Sequence, residues 1–413
     1  MVFGFLTHGF EIPSKKLLAL ILLFFPSFLW FFLFDQFFRT VIESVTTNLV
    51  WIYLGIALFY ISMFSFAIVG SMLSEKWRRR RLLEFSIFFG VIATASFAVF
   101  QELIFFLFFG VLAGASWGFG FPSSLAFLAD STKVDERARV SGALILITFI
   151  MIIFTIGIMT MLQLGLMEYL FIIIILRAIS SFALLIDPCE RIACKERGGW
   201  MNILNTQAFQ LYFISWLMFS LAGGIFNLIE LPSSIIEQVS ESVGIVAQYL
   251  GVILSALISG FASDSFGRKK VLIFGLITLG ISYALFSIAS SPLTFLLTKL
   301  VYGSAWGIIL VVYSLTVIGD LAHTCSKEKF YAIGVVVPLV VFMVFFTLEG
   351  AFSLSISPSL TSSILSMILF LAVIPLLYAP ETLPREKIRA RKFKKYLKKV
   401  KKVVEEEETP NHE

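Results

Sequence analysis

Charge is what this sequence has least of. Asp, Glu, Lys and Arg make up only 14% of its 413 residues, where soluble domains carry roughly a quarter. That shortage excludes an ordinary soluble domain. Histidine is as scarce: His8, His323 and His412 are the whole complement, and they are scattered. No constellation for a metal or a nucleophile is visible, so neither an enzyme nor a cofactor is expected. Of the three cysteines, Cys189 and Cys194 stand in CxxxxC spacing with no His nearby, and Cys325 is remote. They make a poor metal site and read as free thiols of a reducing compartment. The phosphate-cradling pattern GxxxxGK[ST] occurs nowhere, which argues against ATP-driven work by this chain alone. The alternating pattern of barrel strands is missing too.

What is present is apolar: 58% of residues are hydrophobic and 46 are Phe. Apolar runs repeatedly reach the ~20 residues that cross a bilayer, and in lipid such runs satisfy their backbone as helices. Hydropathy predicts twelve spans: 17–38, 49–72, 82–100, 103–129, 140–162, 169–186, 207–229, 244–262, 271–290, 293–319, 330–352 and 358–379. The first run is long enough to span and no small-residue cleavage site follows it, so it reads as a helix rather than a removed signal peptide.

The connections alternate in charge. Of the 32 Lys and Arg, all but Arg39, Arg177 and Lys299 fall in one alternate set of loops or in the tail. By the positive-inside rule that set is cytosolic, so both termini are cytosolic, as an even span number requires. The net charge of +5 then reflects topology and needs no nucleic-acid partner. The predicted organisation is a cytosolic N-terminus (1–16), a six-helix half (17–186), a cytosolic connection (187–206), a second six-helix half (207–379) and a basic, then acidic tail (380–413). The tail up to Val404 has helical apolar spacing suited to the anionic inner leaflet; a plain solvated tail fits as well.

The halves repeat at an offset near 190. Gly70 aligns with Gly260, Arg78 with Arg268, and Asp130 with Asp320; Gly114, Ala115 and Trp117 align with Gly303, Ser304 and Trp306 at 189. Two like-oriented halves suit a transporter that rocks one half against the other around a central site.

The segment Gly260-Phe-Ala-Ser-Asp-Ser-Phe-Gly-Arg-Lys-Lys270 resembles the signature loop of the major facilitator superfamily, G-x-x-x-D-x-x-G-R-K/R, and lies between the eighth and ninth spans as in that family. The first-half copy is degenerate, with Ser74 in place of Asp and Trp77 in place of Gly. Asp130 with Glu136 to Gly142, and Pro380-Glu-Thr-Leu-Pro384, are further family-like features. The resemblance implies a twelve-helix all-α bundle and a cytosolic latch. Its residues would be Gly260, Asp264, Gly267, Arg268, Lys269 and Asp320, with Gly70, Arg78 or Arg79, and Asp130 in the first half. Asp264 is expected at the start of the fifth span and Arg268 on Asp320. With Ser74 unable to supply a charge, the first-half latch is expected to be the weaker one.

The resemblance also implies that spans 1, 4, 7 and 10 line a cavity, for which Trp117, Tyr302, Trp306, Tyr313, Lys299, Gln210 and Asn227 are candidates, with Gln248 a further polar group. Asp35 and Glu349, as ionisable groups near span ends, are candidates for ion coupling. Arg177, near mid-membrane, is expected to pair within its own half. The resulting expectation is a monomeric multi-pass transporter of the plasma membrane. It would carry a small neutral, amphipathic or sugar-like solute by alternating access, with a proton or sodium moving alongside or in exchange. A membrane sensor or scaffold with a transporter-like fold is the alternative.

Overall fold

A computed structural model describes residues 11–100, 102–190, 199–226, 241–289, 291–322, 327–336, 338, 340, 341, 344, 358–384, 386, 397 and 400. The described residues contain helices and no strand. The helices are α1 (Ser14–Val45), α2 (Leu49–Leu73), α3 (Arg79–Ser96), α4 (Leu103–Ser131), α5 (Arg137–Met161) and α6 (Leu166–Ile179, continued by Ser181–Ile186). After a helical turn at Trp200–Leu204 follow α7 (Gln207–Phe226), α8 (Glu241–Phe266), α9 (Arg268–Ile288), α10 (Pro292–Ile309), α11 (Lys327–Tyr331) and α12 (Pro358–Tyr378). Among the described residues ten helices are long and apolar enough to cross a membrane, and the protein is a multi-pass membrane protein. Most of the eleventh predicted span, beyond 336, lies outside the described residues.

Local chemistry sets the helix ends. α10 opens on a capping box, in which Ser291 Oγ accepts from Thr294 N–H and Thr294 Oγ1 accepts from Ser291 N–H, with Pro292 in the first turn. At the start of α2, Asn48 Oδ1 accepts from Val50 N–H at 3.0 Å. α1 runs seven residues beyond the predicted 38, to Val45. Arg39 explains the extension: its Nε reaches Asp35 at 3.3 Å and its Nη2 donates to Tyr60 Oη at 2.9 Å, while that hydroxyl donates to Asp35 at 2.7 Å. A charge that would end the helix is thereby neutralised against α2.

Glycine lets α4 and α10 touch their neighbours. A Cβ on Gly114 would strike the Phe59 carbonyl of α2, and one on Gly303 would strike the Gln248 carbonyl of α8. One turn on, a Cβ on Gly118 would lie 2.5 Å from Met63 O, and one on Gly307 2.7 Å from Val252 O. Both the glycine and the carbonyl positions in these contacts are 189 apart between the halves, so the same helix crossing is built twice from small residues.

Beyond Gly307 the two copies part. α10 passes into a π-helical segment, Leu310–Val317, before Ile318–Leu321 resumes the α-helix. The offset changes there too, from 189 at Gly118 and Gly307 to 190 at Asp130 and Asp320. One extra residue and one π segment fall in the same stretch, which is how a helix absorbs a single insertion. A second π segment, Ala332–Val336, follows α11.

The halves meet where α5 lies on α8. A Cβ on Gly142 would lie 2.5 Å from Ala256 O, and one on Gly260 2.5 Å from Ala138 O.

Candidate functional site

At the basic end of the bundle, ion pairs gather around two carboxylates. Asp130 receives Arg79 at 2.6 Å and also Lys327; Asp320 receives Arg268 at 3.1 Å and also Arg137. In each set one cation comes from the carboxylate's own half and the other crosses the seam. Asp264 Oδ2 accepts from the Arg139 backbone N–H at 3.1 Å and its Nε at 3.0 Å, at the start of α5, where a carboxylate also meets the positive helix end. Its other oxygen holds Arg268 at 2.6 Å. Lys329 crosses the seam in the opposite sense to Glu75, and Arg79 Nε reaches Glu328 at 2.9 Å.

The repeat accounts for this arrangement. Glu75 stands 189 before Asp264 and Arg139 stands 190 before Lys329, so the two crossing pairs are counterparts. The first-half loop therefore has its carboxylate, one residue after the position at which the motif seeks it. Ser74 meanwhile donates to Ser71 O within its own helix. The buried arginine of the first-half loop is Arg79, and Arg78 is the exposed residue just before α3. A one-residue shift in register relative to the sequence alignment explains both.

In the second half the loop is tied further. Gly267 has φ +107°, and a Cβ there would strike the Glu381 carboxylate. That carboxylate accepts from the backbone N–H groups of Arg268 (2.8 Å) and Lys269 (3.2 Å), capping α9. Lys269 Nζ donates to Leu377 O and Ala379 O at the end of α12. Gly70 packs against Phe119, where a Cβ would lie 2.8 Å from the ring. The first-half counterpart of Pro380-Glu381 is Pro188-Cys189, 192 residues earlier. There burial, with Asp187 adding to it, pushes the Cys189 thiol up to about 12.

Between the halves, above the ion pairs, lies a cavity of about 270 Å³. The first half contributes Phe28, Phe31 and Phe32 of α1, Trp117 and Phe121 of α4, and Ile145, Phe149 and Ile152 of α5. The second contributes Trp216 of α7, Gln248, Tyr249 and Val252 of α8, Trp306 of α10, and Leu310, Ser314 and Leu315 of the π segment, with Val335. Among the described residues no charged side chain lines it. Aromatic contacts fix the walls: Trp117 stacks on Phe31 at 4.3 Å and Phe121 at 4.8 Å, and Trp216 on Tyr313 at 4.3 Å and Phe219 at 4.6 Å.

Comparison with solved structures decides the fold. The chain is similar to a bacterial homologue of the iron transporter ferroportin in its outward-facing state, at TM-score 0.70 and 12% identity over 88% of this chain and 98% of that one. It is similar to the E. coli fucose:proton symporter FucP at 0.66 and 13%, over 88% and 98%. It is similar to the human organic anion transporter MFSD10 at 0.64 and 14%, over 88% and 100%. This chain has the major facilitator fold. No family model and no curated protein sequence matches it.

Within the major facilitator fold, α1, α4, α7 and α10 do reach the cavity, joined by α5 and α8. Of the residues expected there, Trp117 and Trp306 line it. Tyr302 is buried inside the second half beside Phe226 and Tyr283, and Tyr313 sits behind Trp216. Lys299 lies over the rings of Phe286 and Phe295. Gln210 donates to Leu204 O, closing the helical turn before α7. Asn227 and Glu349 lie outside the described residues. Asp35 is in the Arg39–Tyr60 cluster and does not line the cavity. Arg177 is buried in the first half; it donates to Ser27, Ser86 and Ser116 and lies 4.6 Å from the Trp30 ring centre.

Sequence reading missed Trp216, Ser314 and Phe28. An aromatic on a membrane helix carries no mark of which way it faces, and a serine there usually bonds its own helix.

Proposed function

We infer that this protein is a secondary transporter working by alternating access, and that it carries a small uncharged organic solute through the cavity between its halves. The observation carrying this reading is the coincidence of a central cavity with ion pairs that, among the described residues, cross the same seam at the basic end. Held together by those pairs, the seam is shut on the side that the positive-inside rule makes cytosolic. Alternation then requires the crossing pairs to part while Arg79–Asp130 and Arg268–Asp320, each within one half, persist. The described lining residues are uncharged, which favours a neutral cargo, since a buried ion without a partner is costly.

The fold likeness to a fucose:proton symporter supports asking whether a proton moves with the solute. Asp35, held by Arg39 and Tyr60 away from the cavity, is better suited to bracing α1 on α2 than to coupling. A non-transporting sensor drew its support from a defective first loop, and Glu75 removes that support. The test is flux into proteoliposomes across an imposed pH gradient, with a panel of small neutral solutes. Solute-specific uptake is expected; accumulation that follows the gradient identifies proton coupling. Binding without flux for every solute bound would overturn the reading in favour of a sensor.

A further inference from the structure

The two walls of the cavity differ in kind. The first-half wall is aromatic and aliphatic, and among the described residues its one side-chain heteroatom is the Trp117 indole nitrogen, a donor. The second-half wall carries Trp216, Gln248, Tyr249, Trp306 and Ser314, which supply both donors and acceptors. Trp216 Nε1 and Ser314 Oγ are buried and have no hydrogen-bond partner among the described residues, and the Gln248 amide bonds to no described residue either. Buried indole N–H and hydroxyl groups ordinarily find partners, so two orphans bordering one cavity point to a ligand that completes them.

The repeat acts as an internal control. The other serine and threonine hydroxyls of the tenth span bond carbonyls of their own turns, as Thr298 does to Thr294 O, Ser304 to Leu300 O and Thr316 to Val311 O. Ser124, 190 residues before Ser314, bonds Gly120 O at 2.8 Å. Ser314 alone among these makes no such bond, and it sits in the π segment where the second half has its extra residue. π segments recur at functional sites because they turn a side chain out of the helical ladder. Trp216 is likewise fixed, its ring clamped between Tyr313 and Phe219, so its N–H direction is set in advance.

We propose that Trp216, Ser314 and Gln248 form the specificity facet of the cavity, which takes a small neutral aromatic solute bearing a hydroxyl or carboxamide group. The polar end docks on the second half and the ring lies against Phe31, Trp117 and Phe121 of the first. This assignment rests on the transport reading for its purpose, but binding tests it separately. A volume near 270 Å³, at the small end for ligand sites, limits the ring system to one or two rings. A site built to hydrogen-bond its ligand rejects an isostere that lacks the polar group much more strongly than one built on apolar contact.

The experiment measures equilibrium binding to the full chain in nanodiscs, with empty nanodiscs subtracted. The probes are 2-naphthamide, its apolar isostere 2-isopropenylnaphthalene and its anionic isostere 2-naphthoate. The amide should bind roughly tenfold or more tighter than either isostere. Ser314→Ala and Trp216→Phe should each weaken amide binding by roughly five- to tenfold while leaving the apolar probe unchanged. Phe31→Leu should weaken amide and apolar probe alike. Equal binding of the three probes, preference for the carboxylate, no binding of any probe, or indifference to Ser314→Ala would each overturn the facet. Failure of the transport reading would look different: the amide would bind with these preferences and vesicles would show no flux.

Discussion

The crossing pairs make a graded prediction, because their burial differs. Asp264 is fully buried and its partner Arg139 is 18% exposed, whereas Glu75 is 31% exposed against Lys329 at 6%. Removing one partner of a buried charged pair costs about 2–5 kcal/mol. The Arg268–Asp264 contact lies within the second half and survives in either state, so only the Arg139 share bears on the seam. At about 2 kcal/mol that share moves the latched-to-open ratio roughly thirtyfold. The Glu75 pair, being wetter, should be worth about 1 kcal/mol or less, and Ser74→Ala, which touches only its own helix, about zero. The assay is pulsed electron spin resonance between labels at the exposed positions 81 and 270, one at the start of α3 and one at the start of α9, in a background lacking the native cysteines. Asp264→Asn should transfer most of the population to longer distances, Glu75→Gln a minor part, and Ser74→Ala none. If Asp264→Asn left the distribution unchanged, or Ser74→Ala moved it as far, the latch would be refuted.

Three further outcomes follow from the same contacts. Gly303→Ala and Gly114→Ala force a Cβ into a backbone carbonyl and should cost about 1–3 kcal/mol, read as lowered thermal stability in detergent, while Gly157→Ala, with open space around it, should be neutral or stabilising. Gly267→Ala meets both a positive φ and the Glu381 carboxylate, so it should destabilise by about 1 kcal/mol or more, and Glu381→Gln should not rescue it. With its thiol raised to about 12 by burial, against about 8.5 for a free cysteine, Cys189 stays protonated through pH 9. In a Cys194→Ser, Cys325→Ser background its alkylation should be far slower than that of an exposed cysteine throughout pH 7 to 9, while still rising with pH because the thiolate fraction grows steadily below the pKa. Fast labelling of the latched protein would contradict the burial.

The sequence by itself determined the membrane-spanning class, the alternation of basic loops and the duplication, because lipid solvation and chain topology act on composition and spacing alone. It also located Asp130, Asp264, Arg268 and Asp320, whose motif fixes residue types at fixed distances. Only the tertiary structure decided the register of the first-half loop, where Glu75 and Arg79 act one residue from the positions matched by alignment. An offset can slip by one without any visible penalty until the partners, Lys329 across the seam and Asp130 within the half, are in place. The cavity was likewise decided in three dimensions. Trp216, Tyr302 and Tyr313 are equivalent as letters, yet one lines the cavity, one is packed within its half and one braces the first. Facing direction on a membrane helix depends on the neighbouring helices, since lipid and protein interior are equally apolar and leave no amphipathic stripe to read. The π segment that frees Ser314 is the extreme case: one inserted residue, silent in hydropathy, turns a self-satisfied hydroxyl into an unpaired one beside the cavity.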